Sequence, residues 1–160
     1  MYQEKQDAAD GEPPSSTVSD DASSAAMIDR VMAIAHLPAT AHVAVIGHHT
    51  LPFVLGLLRR GCDCVRSLRP GAAAPDCEAA DLAWIVDVDN EHELDDALRA
   101  ARWRAGAHGR VVLEGAACRW RSGLAAVRER AVAAGLDIVS FDHVARRLVL
   151  APMPRVAMAA

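Results

Sequence analysis

HVAVIGHHTLPFVLGLLRRGCDCV, residues 42–65, decides how the rest of the chain is read. Residues 43–46 are apolar in succession, the pattern of a strand buried on both faces. Gly47 opens a turn that runs to Thr50. Thr50 is placed to cap a helix, and Pro52 falls in its first turn, where a missing N–H is no loss. Val54, Leu57, Leu58 and Gly61 recur at helical spacing over residues 51–61, and Gly61 is a natural stop. Residues 62–68 then return as a short second strand. Strand, turn, helix and strand in this order open a parallel α/β sheet, which takes ligands outside the carboxyl ends of its strands.

Upstream, residues 1–22 are rich in Asp, Glu, Ser and Pro with almost nothing to bury, and read as a disordered tail. Ser23 or Ser24 caps a helix to about His36, with Ile28, Val31, Met32 and Ala35 on one face. Leu37-Pro38 ends it, because proline disfavours the helical conformation in the residue before it. Downstream, Arg69-Pro70-Gly71 closes the second strand, and residues 72–80 are left as a loop. Residues 81–88 (DLAWIVDV) form a strand with acids at its carboxyl end. Asn90 caps a helix whose inner face carries Leu94, Ala97, Leu98 and Ala101, and residues 104–109 are a loop. Residues 110–113 are the next strand, and residues 119–134 a helix stopped by Gly135. Residues 136–141 and 145–151 are strand-like, separated only by Asp142-His143-Val144. So short a connection cannot make a parallel crossover, and the pair is an antiparallel hairpin.

The 160 residues therefore suit one domain, residues 23–154, between a tail at 1–22 and another at 155–160. The fold expected is α/β, a three-layer Rossmann-like arrangement. Its sheet has about six strands, mostly parallel, with an antiparallel C-terminal hairpin. Net charge is −4, which argues against nucleic acid and anionic membrane as partners. No apolar run reaches the length of a membrane span, and the N-terminus lacks the basic-then-apolar order of a signal peptide, so the expected location is cytoplasmic. Cys62, Cys64, Cys77 and Cys118 are then expected as reduced thiols. Cys62-x-Cys64 has the wrong spacing for a structural zinc pattern, and no metal site is expected.

The succession of elements resembles the class I S-adenosylmethionine-dependent methyltransferase fold. Residues 81–115 (DLAWIVDVDNEHELDDALRAARWRAGAHGRVVLEG) resemble that family's fourth strand, following helix and loop into the fifth strand. Residues 131–154 (AVAAGLDIVSFDHVARRLVLAPMP) resemble its last helix and its closing hairpin. The resemblance covers residues 25–154. It implies a cofactor site at Gly47, His48, His49, Thr50 and Asp87, with Asp87 and Asp89 as candidate general bases near His92. The family's first motif surrounds this turn with an acid and several glycines. Here only Gly47 matches, and His48 and His49 stand where a Cβ crowds a ligand lying against the backbone. The acid that binds the ribose after the second strand is missing from residues 65–70 (VRSLRP), and the strand between the second and fourth is short or missing.

The expected function is accordingly a degenerate methyltransferase-like domain, without methyl transfer, that acts as a ligand- or partner-binding module. S-Adenosylmethionine is a candidate cofactor that is not expected to bind tightly. The first alternative is an active small methyltransferase with its pocket at residues 47–50. The second is a Rossmann domain for a phosphorylated nicotinamide dinucleotide, with Arg66 and Arg69 on its phosphate. That reading lacks the glycine-rich turn such domains need. Trp103 and Trp120, among Arg102, Arg104, Arg119 and Arg121, form a candidate patch for a protein partner. No nucleophile elbow, Walker A loop or H-E-x-x-H motif is present.

Overall fold

The computed structural model describes residues 17–72, 78–115 and 123–154. Helix α1 (Thr17–Ile34) leads into strand β1 (His42–Ile46), helix α2 (Leu51–Arg59) and strand β2 (Cys64–Leu68). Strand β3 (Leu82–Ile85), helix α3 (Glu91–Arg104) and strand β4 (Arg110–Glu114) follow. Helix α4 (Leu124–Ala133) and strands β5 (Leu136–Asp142) and β6 (Arg147–Pro152) complete the chain. The six strands form one sheet in the order β2-β1-β3-β4-β6-β5. The first four are parallel, and β6 runs antiparallel to both β4 and β5. The mostly parallel sheet and its closing hairpin are as expected.

Several boundaries differ from those expected. The α1 backbone starts at Thr17, six residues ahead of Ser23. Strand β3 stops at Ile85, three residues short of Val88, because Asp87 takes a left-handed conformation (φ 49°) that turns the chain out of the sheet. Strand β2 starts at Cys64, so Cys62 and Cys64 are not a strand-face pair. Cys62 is buried before the strand begins, while Cys64 is partly exposed.

Alternating side chains divide the core between two sheet faces. Val43, Val45, Trp84 and Val112 face Ile28 and Val31 of α1 and Leu57 of α2. Ile46, Ile85 and Leu113 face Leu94 and Leu98 of α3 and Val127 of α4. All of these are at most 2 % exposed. A fully buried leucine or valine contributes about 1.5–3 kcal/mol, so the two faces together hold the three layers. Helices α1 and α2 are joined where Gly56 lies against Ile28, and Arg60 Nε donates to Asp29 Oδ1 at 2.5 Å. No helix among the described residues is long and apolar enough to cross a membrane.

The order of strands fixes where a ligand can sit. The chain goes from β1 outward to β2, then returns to place β3 on the other side of β1. The β1–α2 and β3–α3 turns therefore diverge at the carboxyl ends of adjacent strands. In open α/β sheets that divergence leaves a crevice.

Candidate functional site at the β1 and β3 carboxyl ends

Gly47 ends β1, and its backbone explains the residue. A Cβ built there would lie 1.8 Å from the carbonyl oxygen of Val86 and 3.2 Å from a Val86 methyl. The glycine lets the continuations of β1 and β3 pass at close range. Val86 N–H donates to Ile46 O at 2.9 Å, and Gly47 N–H donates to Leu68 O at 2.9 Å. Gly47 thus sits between its two neighbouring strands.

His48 and His49 follow, and both imidazoles cross to the β3–α3 turn. His48 Nε2 lies 3.0 Å from Glu93 Oε2, and His49 Nδ1 bonds to Asp87 Oδ2. The backbone repeats the bridge: His48 N–H donates to Asp87 O at 3.3 Å, and His49 N–H to Asp87 Oδ2 at 3.0 Å. The two bridges differ in shielding. The His48 and Glu93 side chains are 30 % and 26 % exposed, whereas His49 is 88 % exposed over Asp87 at 24 %. The left-handed turn at Asp87 aims its carboxylate back at the His49 N–H.

Glu93 is held from its own side as well. Asn90 caps α3 by accepting from Glu93 N–H at 3.0 Å, and Glu93 Oε2 accepts from Asp89 N–H at 3.1 Å. This is a reciprocal cap of the kind that opens stable helices. The hydrogen bond to Glu93 raises the His48 pKa, burial opposes it, and the charges of Glu93, Asp89 and Asp87 add to the rise. The same hydrogen bond holds the Glu93 carboxyl below its ordinary range, with help from Asp89 N–H. The pair therefore favours imidazolium facing carboxylate.

Thr50 stands at the N-cap of α2 but makes no side-chain cap bond. It is 5 % exposed, and its hydroxyl lies 2.5 Å from Ser67 Oγ on β2. The expected cap is thus a tie between α2 and β2. Ser67 falls in the stretch where the resemblance leads one to look for a ribose-binding acid. Arg66 and Arg69 are exposed.

The structure places Gly47, His48, His49, Thr50, Asp87 and Asp89 at one end of the sheet. His92 does not join them: it is 84 % exposed and lies 3.8 Å from Asp96, one turn along α3. Glu93 was overlooked as a site residue. Its position three residues after a capping Asn90 was the available signal. Of the tryptophan patch, Trp120, Arg119 and Arg121 lie outside the described residues. Trp103 is 69 % exposed at the opposite end of the sheet, beside a cavity of about 730 Å3. Arg102 lines the same cavity, and its guanidinium is bonded to backbone. It donates to the carbonyls of Gly135, Gly106 and Met153 at 3.1, 2.8 and 3.1 Å, pinning three chain segments together. Arg104 is buried, with its Nε and Nη2 lacking a hydrogen-bond partner.

This sheet order, with ligand-side turns at β1 and β3 and an antiparallel closing pair, defines a class I methyltransferase-like Rossmann fold. Solved structures agree. The TehB-like SAM-dependent methyltransferase of Corynebacterium glutamicum superposes with a TM-score of 0.57 at 16 % identity, covering 79 % of this chain and 85 % of that one. The CcbJ methyltransferase of Streptomyces caelestis gives 0.58 at 13 % identity, over 84 % and 90 %. The ribosomal protein L11 methylase of Lactobacillus delbrueckii subsp. bulgaricus gives 0.58 at 13 % identity, over 84 % and 80 %. No family model and no curated sequence matches the chain.

Proposed function

We propose that this protein is a methyltransferase-like domain whose cofactor crevice is closed by its own side chains, and that it acts as a ligand- or partner-binding module without methyl transfer. One observation carries the reading. The two residues that replace the family's glycines, His48 and His49, both bond across the crevice to Glu93 and Asp87. A ligand lying against the β1 turn must break those bonds and displace two imidazoles.

The remaining residues fit S-adenosylmethionine poorly. The space Gly47 leaves is taken by the Val86 carbonyl. Residues 65–70, where a ribose-binding acid is expected, hold no acid, and Ser67 among them is bonded to Thr50. One carboxylate oxygen of Asp87, the candidate base, is already engaged by the backbone N–H and ring Nδ1 of His49.

A second reading, an active small methyltransferase, is favoured by the solved neighbours, whose names include SAM-dependent methyltransferases. Thermal unfolding separates the two. A ligand at a hundredfold excess over its Kd stabilises by about 2.7 kcal/mol, a shift of several degrees for a domain of this size. With about 1 mM S-adenosylmethionine or S-adenosylhomocysteine, the closed-crevice reading expects no shift. A shift of several degrees with either compound supports the enzyme. The reduced phosphorylated nicotinamide dinucleotide serves as a control, and a shift with it alone would revive Arg66 and Arg69 as phosphate ligands.

A further inference from the structure

We propose that His48, Asp89 and Glu93 form a binding site for one divalent transition-metal ion, with Zn2+ and Mn2+ the best matched to its donors. The inference rests on the crevice not being taken by S-adenosylmethionine. It names the ligand that the closed crevice holds instead.

One imidazole nitrogen and two carboxylate oxygens from these residues lie within 4.8 Å of one another. They come from two turns: His48 follows β1, while Asp89 and Glu93 open α3. His48 Nε2 and Glu93 Oε2 are 3.0 Å apart. Donors held about 2.1 Å from a common ion at a right angle are separated by about 3 Å, so this pair already has the spacing of neighbouring ligands. The ion would replace the shared proton of their hydrogen bond. Glu93 is positioned for this by the backbone, since the Asp89 N–H holds its Oε2 at 3.1 Å and Asn90 caps its own N–H. The His48 and Glu93 side chains are partly buried, and the Asp89 side chain is exposed on the open side of the cluster, where an ion can enter.

Charge points the same way. Asp87, Asp89 and Glu93 place three carboxylates around the crevice, against about half a positive charge from each of the helix N-termini α2 and α3. On α3 and α4, Arg99 pairs with Asp96, and Arg130 with Glu91 and Asp95. The cluster's ion-pair partners are His48 and His49. A mixed nitrogen and oxygen set suits borderline divalent ions and disfavours soft ions that need thiolates.

The test is calorimetric titration of the tag-free full chain, stripped with chelator, with ZnCl2 and separately MnCl2. Metal content after dialysis is measured alongside. We expect saturable uptake of one ion per chain. Glu93→Gln and Asp89→Asn, which keep side-chain size, should each weaken it by about tenfold or more, since loss of even an outer partner of a ligand costs that much. Glu91→Gln, outside the cluster, should leave uptake unchanged. Absence of saturable uptake, or uptake unchanged in both cluster variants, overturns the proposal. The second pattern would place the ion elsewhere, for example on Cys62 and Cys64. The S-adenosylmethionine melting experiment keeps the readings apart. Silence toward both metal and cofactor removes the metal site and leaves the closed crevice standing. A cofactor shift without metal uptake removes both.

Discussion

Two carboxylate bridges close the same end of the sheet, one dry and one wet. In the dry one, Arg147 Nε donates to Glu114 Oε1 at 2.6 Å between side chains only 4 % and 2 % exposed. Trp84 Nε1–H adds a donor to the same oxygen at 3.3 Å, and its ring meets Phe53 edge-on at 4.9 Å. In the wet one, His48 meets Glu93 with both side chains about a quarter to a third exposed. The residue types are similar, but the surroundings assign different work. A buried pair is committed to the native state, because neither charge has water to return to. A partly exposed pair across a crevice can exchange its partner for a ligand at small cost. The dry bridge therefore belongs to the fold, and the wet one to the site.

Breaking the dry bridge gives the largest expected effect. Arg147→Ala should lower stability by about 3–5 kcal/mol, because it leaves Glu114 charged and buried. Chemical denaturation measures this. Replacing both Glu114 and Arg147 with apolar residues of similar size should cost less than Arg147→Ala alone. Equal or additive losses would contradict the assignment. Gly47→Ala comes next, at about 3 kcal/mol, since the new Cβ meets the Val86 carbonyl at 1.8 Å and backbone must move. If Gly47 served only to admit a ligand, the unliganded protein would tolerate alanine with little change. Asn90→Ala removes the α3 cap and the support of Glu93, for about 1 kcal/mol in the same assay.

The smallest effect is the pH dependence of the wet bridge. The folded pKa of His48 is raised, so its contribution is fully present below its unfolded value and is lost as pH rises through the folded value. The folded pKa of Glu93 is lowered, so its contribution is present above its unfolded value and is lost as pH falls through the folded value. Between the ordinary pKa values of glutamate and histidine, about 4.3 and 6.5, both partners are charged and the bridge is strongest. Stability measured from about pH 5.5 to 8 should show a modest decline that Glu93→Gln removes. A profile unchanged in that variant would show that the decline comes from other groups.

The same contrast explains what could be read from sequence. The strands were legible because residues 43–46, 82–86 and 111–113 are continuous apolar runs, and burial on both faces demands such runs. The short connection between the last two strands, four residues in the structure, required a hairpin. Nothing local shows that β6 inserts between β4 and β5, since strand order depends on which edge is open. In the site, the turn at Gly47 and the acids after β3 were legible as the ends of strands. Their bridging was not, because His48 and Glu93 are 45 residues apart and meet only through the adjacency of β1 and β3. Glu93 also has a sufficient local reason to exist, as the partner of Asn90 at a helix N-terminus. Gly47 shows the converse. The sequence suggested a ligand contact, and the structure shows a backbone approach to Val86.

The closed crevice is tested most directly by calorimetric titration of S-adenosylmethionine into the wild-type chain and into a His48→Gly/His49→Gly variant, side by side. Removing both imidazoles unties the two bridges and restores a glycine-rich turn. The account predicts no saturable heat from the wild type at about 1 mM, where even a site worth roughly −4 kcal/mol is half filled, and measurable binding in the variant. Saturable binding by the wild type would contradict it and favour the reading of an active methyltransferase.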